Sequence, residues 1–387
     1  MRERIERMRN FLASQHLAGW LSWRPDELVM QLGHLSYWGL SVSLFLSSGE
    51  RILFAPELDP GDTVPEGVTL LRYPWGNMDC ADPFGILQSL MDEELRRRGL
   101  KRNAIGTLRH AHRSSLPVMA AELPPFPPEA IEALCTGTVQ AAAADAAFVS
   151  LYLHKTQDEI QKVRLANKAA LTGLEAWRTA LEPGRTEAET AAAAEAAVHA
   201  LTGRSGIHYA RAWAMVQSGP HTADGGRFNR SSGRRMEEGD LIFIEFVTCV
   251  NGYWSDLTRT VALGKARAEH EEVLSAVAEA QQAALRTMAA GVCAHDVDAA
   301  ARTVLARRGL AKNFTHATGH HVGFRYHDPG FGLAPGSSGT LEPGMIVTIE
   351  PGAYVQERNC GARLEDDVLI TATGAEILSS EGTEVNP

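Results

Sequence analysis

The segment LIFIEFVTCVNGYWSDLTRT, residues 241–260, predicts two neighbouring strands joined by a turn at Asn251-Gly252. The first strand is apolar on both faces, yet Glu245 lies in its middle. Because an unpaired carboxylate is costly to bury, Glu245 must meet a cation, bind a proton or lie where the strand leaves the core. Asp256 lies on the second strand. This hairpin therefore predicts two acidic side chains in one sheet.

A second apolar strand that ends in a carboxylate occurs later in the chain. Residues 345–349 lead into Glu350, and Glu365 follows after a longer loop through Gly361, a spacing that suits adjacent strands. Four acidic side chains aimed at one point repel one another, and the usual compensation is a pair of divalent cations. For any one of these acids alone, an exposed strand end or an ordinary ion pair is an equally good interpretation.

Histidines favour the metal interpretation. The chain has 14 histidines, and the segment HATGHHVGFRYHDP, residues 316–329, contains four of them: His316, His320, His321 and His327. An isolated histidine is more often a packed or surface residue than a ligand. A glycine-flanked cluster in a chain with four paired carboxylates is instead typical of a metal site.

Composition excludes several classes of protein. The 387 residues include 37 Lys and Arg against 47 Asp and Glu, a net charge of −10. This acidic balance excludes nucleic acid and an anionic membrane surface as favoured partners. The N-terminal residues are charged and no stretch approaches the ~18 apolar residues of a membrane span, so we expect a cytoplasmic protein. The 5 cysteines form no CxxC pair, which indicates reduced thiols.

Two domains are predicted, an N-terminal α/β domain over residues 1–152 and a larger domain over residues 153–387. In the first, we expect a helix from Arg2 to Gln15 and a strand from Leu17 to Trp23. Residues 42–46 and 51–55 should form a hairpin. The proline-rich residues 123–128 should form a surface connection.

The larger domain contains a weak internal duplication. Thr156 and Thr186 each begin a capping-box pattern, and they predict helices that run to about Ala180 and Leu201. The same order of long helix, glycine turn and second helix recurs over residues 269–308, and each copy is followed by the acidic strands. Two such halves packed face to face would bring the four acids together.

These residues resemble the creatinase-fold metallopeptidases, which include Xaa-Pro dipeptidases, Xaa-Pro aminopeptidases and methionine aminopeptidases. The resemblance covers roughly residues 155–380. It implies an α+β pita-bread catalytic domain with an internal pseudo-twofold repeat, preceded by a smaller α/β domain. It also implies a metal-dependent exopeptidase that hydrolyses Xaa-Pro bonds of dipeptides or short peptides, and a homodimer. The motifs are GYWSDLTRT (252–260), HATGHHVG (316–323), IEPG (349–352) and RLED (363–366).

The resemblance also implies a ligand set for two divalent ions. Asp256 and Glu365 would bridge the ions, His320 and Glu350 would complete one site, and Glu245 the other. Such a pair lowers the pKa of a shared water, polarises the scissile carbonyl and stabilises the tetrahedral intermediate. The ligand types favour Mn²⁺, Co²⁺ or Zn²⁺ without choosing among them.

Further roles follow from the same resemblance. His327 would contact the reacting amide, His316 would line the substrate pocket, and Glu350 would take part in catalysis as well as in metal binding. Arg363 would orient Glu365, although a solvated arginine is an equally good interpretation of the sequence.

Two positions depart from the family pattern. Glu245 stands where the family has the shorter aspartate, which weakens the case for the second ion more than for the first. Gly226 stands where the family has a substrate-facing histidine. His221, Arg227 and His208 are nearby candidates to replace it, and each has an alternative explanation as an ordinary loop residue. Arg227 could hold a substrate carboxylate, which would favour dipeptides.

The departures at Glu245 and Gly226 leave two other functions open. One is a small-molecule C–N hydrolase, like creatinase or ectoine hydrolase, or a lyase, with altered metal dependence. The other is a catalytically silent fold relative that binds a partner. Retention of Asp256, His320, Glu350 and Glu365 favours the exopeptidase over both.

Overall fold

A computed structural model describes residues 1–36, 39–59, 61–75, 80–108, 128–225 and 230–380. The chain divides into two compact units, Met1–Tyr152 and Leu153–Pro387. Residues 123–127 of the predicted surface connection lie outside the described residues, and a helix begins at Pro128.

The first unit is an α/β structure. Its strands are β1 (Gly19–Ser22), β2 (Val42–Leu46), β3 (Arg51–Pro56), β4 (Val68–Tyr73) and β5 (Ile105–Thr107). Its helices are α1 (Arg2–Ser14), α2 (Pro25–Leu32), α3 (Pro83–Arg97), α4 (Pro128–Cys135) and α5 (Ala142–Leu153). The strands form one mixed sheet in the order β4-β3-β2-β1-β5. The predicted N-terminal helix and the β2/β3 hairpin are confirmed, because β2 and β3 pair antiparallel.

The first half of the second unit places two helices against a three-stranded antiparallel sheet. The helices are α6 (Gln157–Ala180) and α7 (Glu187–His199), and the strands are β6 (Ala210–Ser218), β7 (Leu241–Val250) and β8 (Tyr253–Ala262). Both predicted capping boxes are present, at Thr156 and Thr186. The β7/β8 hairpin turns at Asn251-Gly252 as predicted, with Val250 opposite Tyr253.

The second half repeats this plan with shorter strands. It contains α8 (Ala268–Thr287), α9 (Ala294–Arg307), β9 (Ile346–Ile349), β10 (Gly352–Val355), β11 (Cys360–Arg363), β12 (Asp366–Thr371) and β13 (Gly374–Ile377). β9 and β12 are antiparallel neighbours, as the spacing of Glu350 and Glu365 predicted. The connection between those acids is a hairpin, β10/β11, where the sequence suggested only a loop.

Each half buries its own apolar cluster. In the first half, small residues of α6 let the helix lie close to β7; a Cβ added at Gly173 would come within 2.5 Å of the Phe246 ring. In the second half, α8 and α9 pack on β9 to β12 around Val277, Ala301 and Val347. Glu245 and Asp256 therefore lie on strands packed against the core, and Glu350 and Glu365 lie at the ends of such strands. Among the described residues, none of the helices combines the length and apolar character that a membrane span requires.

The capping box at the start of α6 gives a stability prediction. Thr156 Oγ1 accepts a hydrogen bond from Glu159 N, and Glu159 Oε2 accepts one from Thr156 N at 2.7 Å. Thr156→Ala should therefore lower the free energy of unfolding by about 1 kcal/mol in urea titrations. Thr156→Ser keeps the hydroxyl and should stay close to wild type. Equal losses in both variants would contradict this role.

Candidate metal centre

The register of β7 and β8 places the first two acids. Glu245 pairs with Thr258 across the hairpin. Asp256 lies two positions before Thr258 on β8, so both side chains point to the same face of the sheet. Glu245 and Asp256 are 3% and 1% exposed. The hairpin that the sequence predicted thus places two buried carboxylates and a threonine on one face of the sheet.

A second set of backbone bonds places His320 beside Glu350. Thr348 N donates to the carbonyl oxygen of His320 at 2.8 Å, and Glu350 N donates to that of Thr318 at 2.8 Å. A Cβ at Gly319 would lie 1.9 Å from the Thr348 carbonyl oxygen. Only glycine allows this close approach, which explains the glycine inside the histidine motif.

Four of the five predicted ligands come together. Ligand atoms of Asp256, His320 and Glu365 all lie within 4.8 Å of one another, and all three residues are buried. His320 Nε2 is 3.4 Å from Asp256 Oδ2 and 3.5 Å from Glu350 Oε1. Glu350 thus adjoins this group through His320. These four residues form the group that we call the acidic centre.

The hydrogen bonds of His320 show which ring nitrogen faces the acids. Nδ1 lies 3.0 Å from the His321 carbonyl oxygen, which can only accept, so Nδ1 carries the hydrogen and Nε2 presents a lone pair. Burial lowers the pKa of His320 to about 4, which keeps the ring neutral. Within the described part of the chain, neither oxygen of Asp256 accepts a hydrogen bond.

Several acceptors therefore converge, with the single hydrogen of the Thr258 hydroxyl shared between Glu365 and Glu245. Burial raises the pKa of Asp256 well above its usual range, and the nearby Glu365 and Glu245 raise it further. Burial and the neighbouring Glu350 and Glu245 likewise raise the pKa of Glu365. Burial raises the pKa of Glu350 to about 8. Carboxylate oxygens and an imidazole whose other nitrogen donates to a carbonyl are ordinary ligands of a divalent metal, so these residues fit one.

Glu245 has a different environment. Its Oε1 accepts a hydrogen bond from the Tyr326 hydroxyl at 2.6 Å, and its Oε2 accepts bonds from the Thr258 hydroxyl at 2.7 Å and from Arg363 Nη2. Burial alone would raise the pKa of Glu245, but the Arg363 guanidinium and the three hydrogen bonds leave that pKa lowered. In the described ranges, no group with the spacing of a metal site includes Glu245.

Arg363 was expected to orient Glu365. Its guanidinium donates to Glu245, to Thr258 Oγ1 at 3.0 Å and to the Tyr354 hydroxyl at 2.9 Å. Thr258 Oγ1 in turn lies 2.7 Å from Glu365 Oε2. The connection from Arg363 to Glu365 therefore runs through the threonine hydroxyl.

The four clustered histidines occupy distinct places. The ring of His327 packs 4.2 Å from that of His320. His316 Nε2 lies 2.9 Å from the Tyr354 hydroxyl, and its Nδ1 lies 3.8 Å from Glu350 Oε2. His321 instead packs edge-on against Phe331, with ring centroids 4.6 Å apart. The clustering of the four histidines in the sequence does not distinguish these roles, because it does not show in which direction each side chain points.

Three residues were candidates to replace the family's histidine, which is Gly226 in this chain, and the structure describes two of them. His221 Nδ1 lies 3.0 Å from Glu187 Oε1, a fully buried carboxylate. His208 is exposed, and its backbone nitrogen donates to Asn251 Oδ1. Gly226 and Arg227 lie outside the described residues.

Sequence reasoning missed several residues around the centre. Tyr326 lies inside the quoted histidine motif, and Thr258 shares the strand alternation of Asp256, so both could have been found from the sequence. Tyr354 lies on the β10/β11 hairpin that the sequence did not predict. Lys155, which pairs with Asp328 at 2.7 Å, has no sequence signal, since the two are far apart in the chain.

Comparisons with known sequences identify relatives of this chain. The sequence pattern of metallopeptidase family M24 matches residues 161–372. The probable dipeptidase PepE of Mycobacterium tuberculosis strain H37Rv is 40% identical over 226 residues, which are 58% of each chain. The uncharacterized peptidase YqhT of Bacillus subtilis is 31% identical over 236 residues, 61% of this chain and 64% of that one. The chain thus spans less than two thirds of the length of these curated relatives.

Solved structures match over almost the whole chain. Dipeptidase PepE from Mycobacterium ulcerans is 28% identical with a TM-score of 0.71, and the match covers 99% of this chain and 96% of that one. The Xaa-Pro dipeptidase from Bacillus anthracis is 23% identical with a TM-score of 0.78, covering 99% and 98%. The predicted α+β pita-bread fold is confirmed.

The raised carboxyl pKa values give a pH prediction. Below about pH 4 these carboxyls carry protons in both the folded and the unfolded chain. Their burial then costs the least free energy, because a neutral carboxyl is easier to bury than a carboxylate. Between about pH 4 and pH 8 the unfolded chain releases these protons while Glu350 in the folded chain retains its own, so cation-free protein loses stability as the pH rises across that interval. Melting temperatures of chelator-treated protein should fall over that range, and the increase caused by added Mn²⁺ should grow. Parallel curves with and without Mn²⁺ would contradict this explanation.

The Lys155–Asp328 ion pair gives a second prediction. Both side chains are fully buried, and Asp328 Oδ1 also accepts a bond from Arg325 N beside Tyr326 and His327. Lys155→Met leaves Asp328 without its cation and should cost about 3–5 kcal/mol in unfolding free energy. The double variant with Asp328→Asn removes both charges and should recover part of that loss. An equal or larger loss in the double variant would show that the charge pair is not the cause.

Proposed function

The chain belongs to metallopeptidase family M24, and from that membership we propose that it is a metal-dependent exopeptidase hydrolysing Xaa-Pro bonds of dipeptides or short peptides. One observation carries the proposal. Asp256, His320 Nε2 and Glu365 converge as buried acceptors within 4.8 Å, an arrangement that needs a cation to be stable when the acids are ionised. Asp256, His320, Glu350 and Glu365 would hold the ion.

A bound divalent ion supplies Lewis-acid activation of water and of the scissile carbonyl. Glu350 lies at the edge of the acidic centre, where Oε1 can take the proton of the attacking water and return it to the leaving nitrogen. His327 packs on His320 and is our candidate to contact the reacting amide. These roles are part of the proposal.

His316 is held as a neutral ring. Its Nδ1 lies 2.8 Å from the Ala317 carbonyl oxygen and therefore donates, so Nε2 accepts from the Tyr354 hydroxyl. Arg363 donates to the oxygen of that hydroxyl, which leaves the hydroxyl hydrogen for His316. Because both ring nitrogens are engaged, His316 is our candidate for a fixed, uncharged residue that lines the substrate pocket.

The remaining expectations belong to the same proposal. Mn²⁺, Co²⁺ and Zn²⁺ all suit these ligands. The two-ion mechanism that the sequence suggested would in addition require Glu245 as a ligand of the second ion. We retain the cytoplasmic location, the homodimer and the preference for short substrates, with His221 and Arg227 as candidates near the substrate. PepE is named a dipeptidase and the Bacillus anthracis structure an Xaa-Pro dipeptidase, which supports the substrate class.

A peptide panel tests this function. Chelator-treated protein reloaded with Mn²⁺ or Co²⁺ should release proline from Xaa-Pro dipeptides or cleave Xaa-Pro tripeptides, and matched Xaa-Ala peptides should react more slowly. His320→Ala should lower kcat/KM by more than about 100-fold, beyond the effect of an outer-shell residue. Product release is followed by chromatography.

Two results would contradict the proposal. Metal-loaded wild type that cleaves no peptide in the panel would exclude the exopeptidase. Hydrolysis of amidine or N-acyl small molecules without peptide cleavage would favour the C–N hydrolase suggested by Glu245 and Gly226.

A further inference from the structure

Glu245 is the one predicted ligand whose contacts set it apart from the acidic centre. We propose that Tyr326, Thr258 and Arg363 hold Glu245 as a structural anion, so that the centre binds one divalent ion in place of two. The inference rests on the proposed metal-dependent function, because it concerns the number of ions at that site. It assigns Tyr326 and Arg363 as positioning residues.

Both oxygens of Glu245 are already engaged. Tyr326 donates to Oε1 at 2.6 Å, and Arg363 Nη2 forms an ion pair with Oε2. The Thr258 hydroxyl lies 2.7 Å from the same Oε2 and shares its single hydrogen with Glu365. A carboxylate offers about four lone-pair positions, and three of these are taken.

Moving Glu245 onto an ion would disturb its partner. The Arg363 side chain is 3% exposed, so a guanidinium without its anion would be left buried. Loss of one member of a buried ion pair is strongly destabilising. Arg363 already supplies the positive charge that a second cation would bring to Glu245. The protein therefore has no electrostatic need for a second ion there.

The distances between the ligand atoms also favour a single ion. Asp256, His320 and Glu365 offer ligand atoms within 4.8 Å of one another, and Glu350 adjoins them 3.5 Å from His320 Nε2. Three or four such ligands suffice for one ion. Over the residues that the structure describes, no comparable group of three contains Glu245. The geometry provides one complete ligand set.

Metal content of the full-length protein tests the inference. The chain is stripped with chelator, reloaded with Mn²⁺ and passed through a desalting column before elemental analysis. We expect one ion per chain and an electron paramagnetic resonance spectrum of isolated Mn²⁺. Two ions per chain, or an exchange-coupled spectrum, would overturn the inference. Neither measurement depends on a variant that could misfold.

Two matched substitutions identify the ligands. Glu245→Gln should keep the single ion and raise its Kd by no more than about 10- to 100-fold, the usual effect of a residue that contacts the surroundings of a metal site and not the ion. Glu365→Gln, the same change at a proposed ligand, should weaken Mn²⁺ binding by more than about 100-fold. Glu175→Gln on exposed α6 controls for the lost charge. Equal loss in Glu245→Gln and Glu365→Gln would overturn the inference, provided both variants show wild-type circular dichroism.

Failure of this inference is distinguishable from failure of the proposed function. One ion without peptide cleavage would leave the inference intact and remove the exopeptidase. Two ions with peptide cleavage would do the reverse. A chain that binds no ion would overturn both.

Discussion

Four carboxylates gathered on or next to neighbouring strands, three of them buried and Glu350 partly exposed, are the constraint on which the rest of the second unit depends. Glu245, Asp256, Glu350 and Glu365 cannot all be ionised there without compensation. The structure uses two solutions. Glu245 receives a guanidinium and the Tyr326 hydroxyl and shares the Thr258 hydroxyl with Glu365, whereas the other three carboxylates lie around the lone pair of His320. Glu245 is thus a structural anion, whereas the other three carboxylates and His320 form the proposed metal site next to it.

The two halves of the unit meet through β8. Glu365 N donates to the Thr258 carbonyl oxygen, and the Thr258 hydroxyl touches both Glu245 and Glu365. The acids of one half therefore depend on the backbone of the other. Neither half holds the complete ligand set by itself, and this explains how an internal repeat can serve a single centre.

Neutral rings and buried ion pairs then keep the surrounding segments in place. His316 is fixed by Tyr354, and the segment before β9 is fixed by the close approach at Gly319. Lys155 and Asp328 hold the backbone that leads to Tyr326 and His327. These contacts are rigid, so the donors and acceptors of the centre are arranged before any substrate arrives.

The sequence by itself determined the β2/β3 and β7/β8 hairpins and the two capping boxes, because periodicity and turn chemistry are local, whereas the β10/β11 hairpin was not predicted. It also indicated that Glu245 and Asp256 share a hairpin and that Glu350 and Glu365 flank neighbouring strands. Only the tertiary structure decided that Arg363 and Tyr326 engage Glu245, that His321 turns away toward Phe331, and that Lys155 meets Asp328. These outcomes depend on side-chain direction and on contacts between distant parts of the chain, which no local pattern contains.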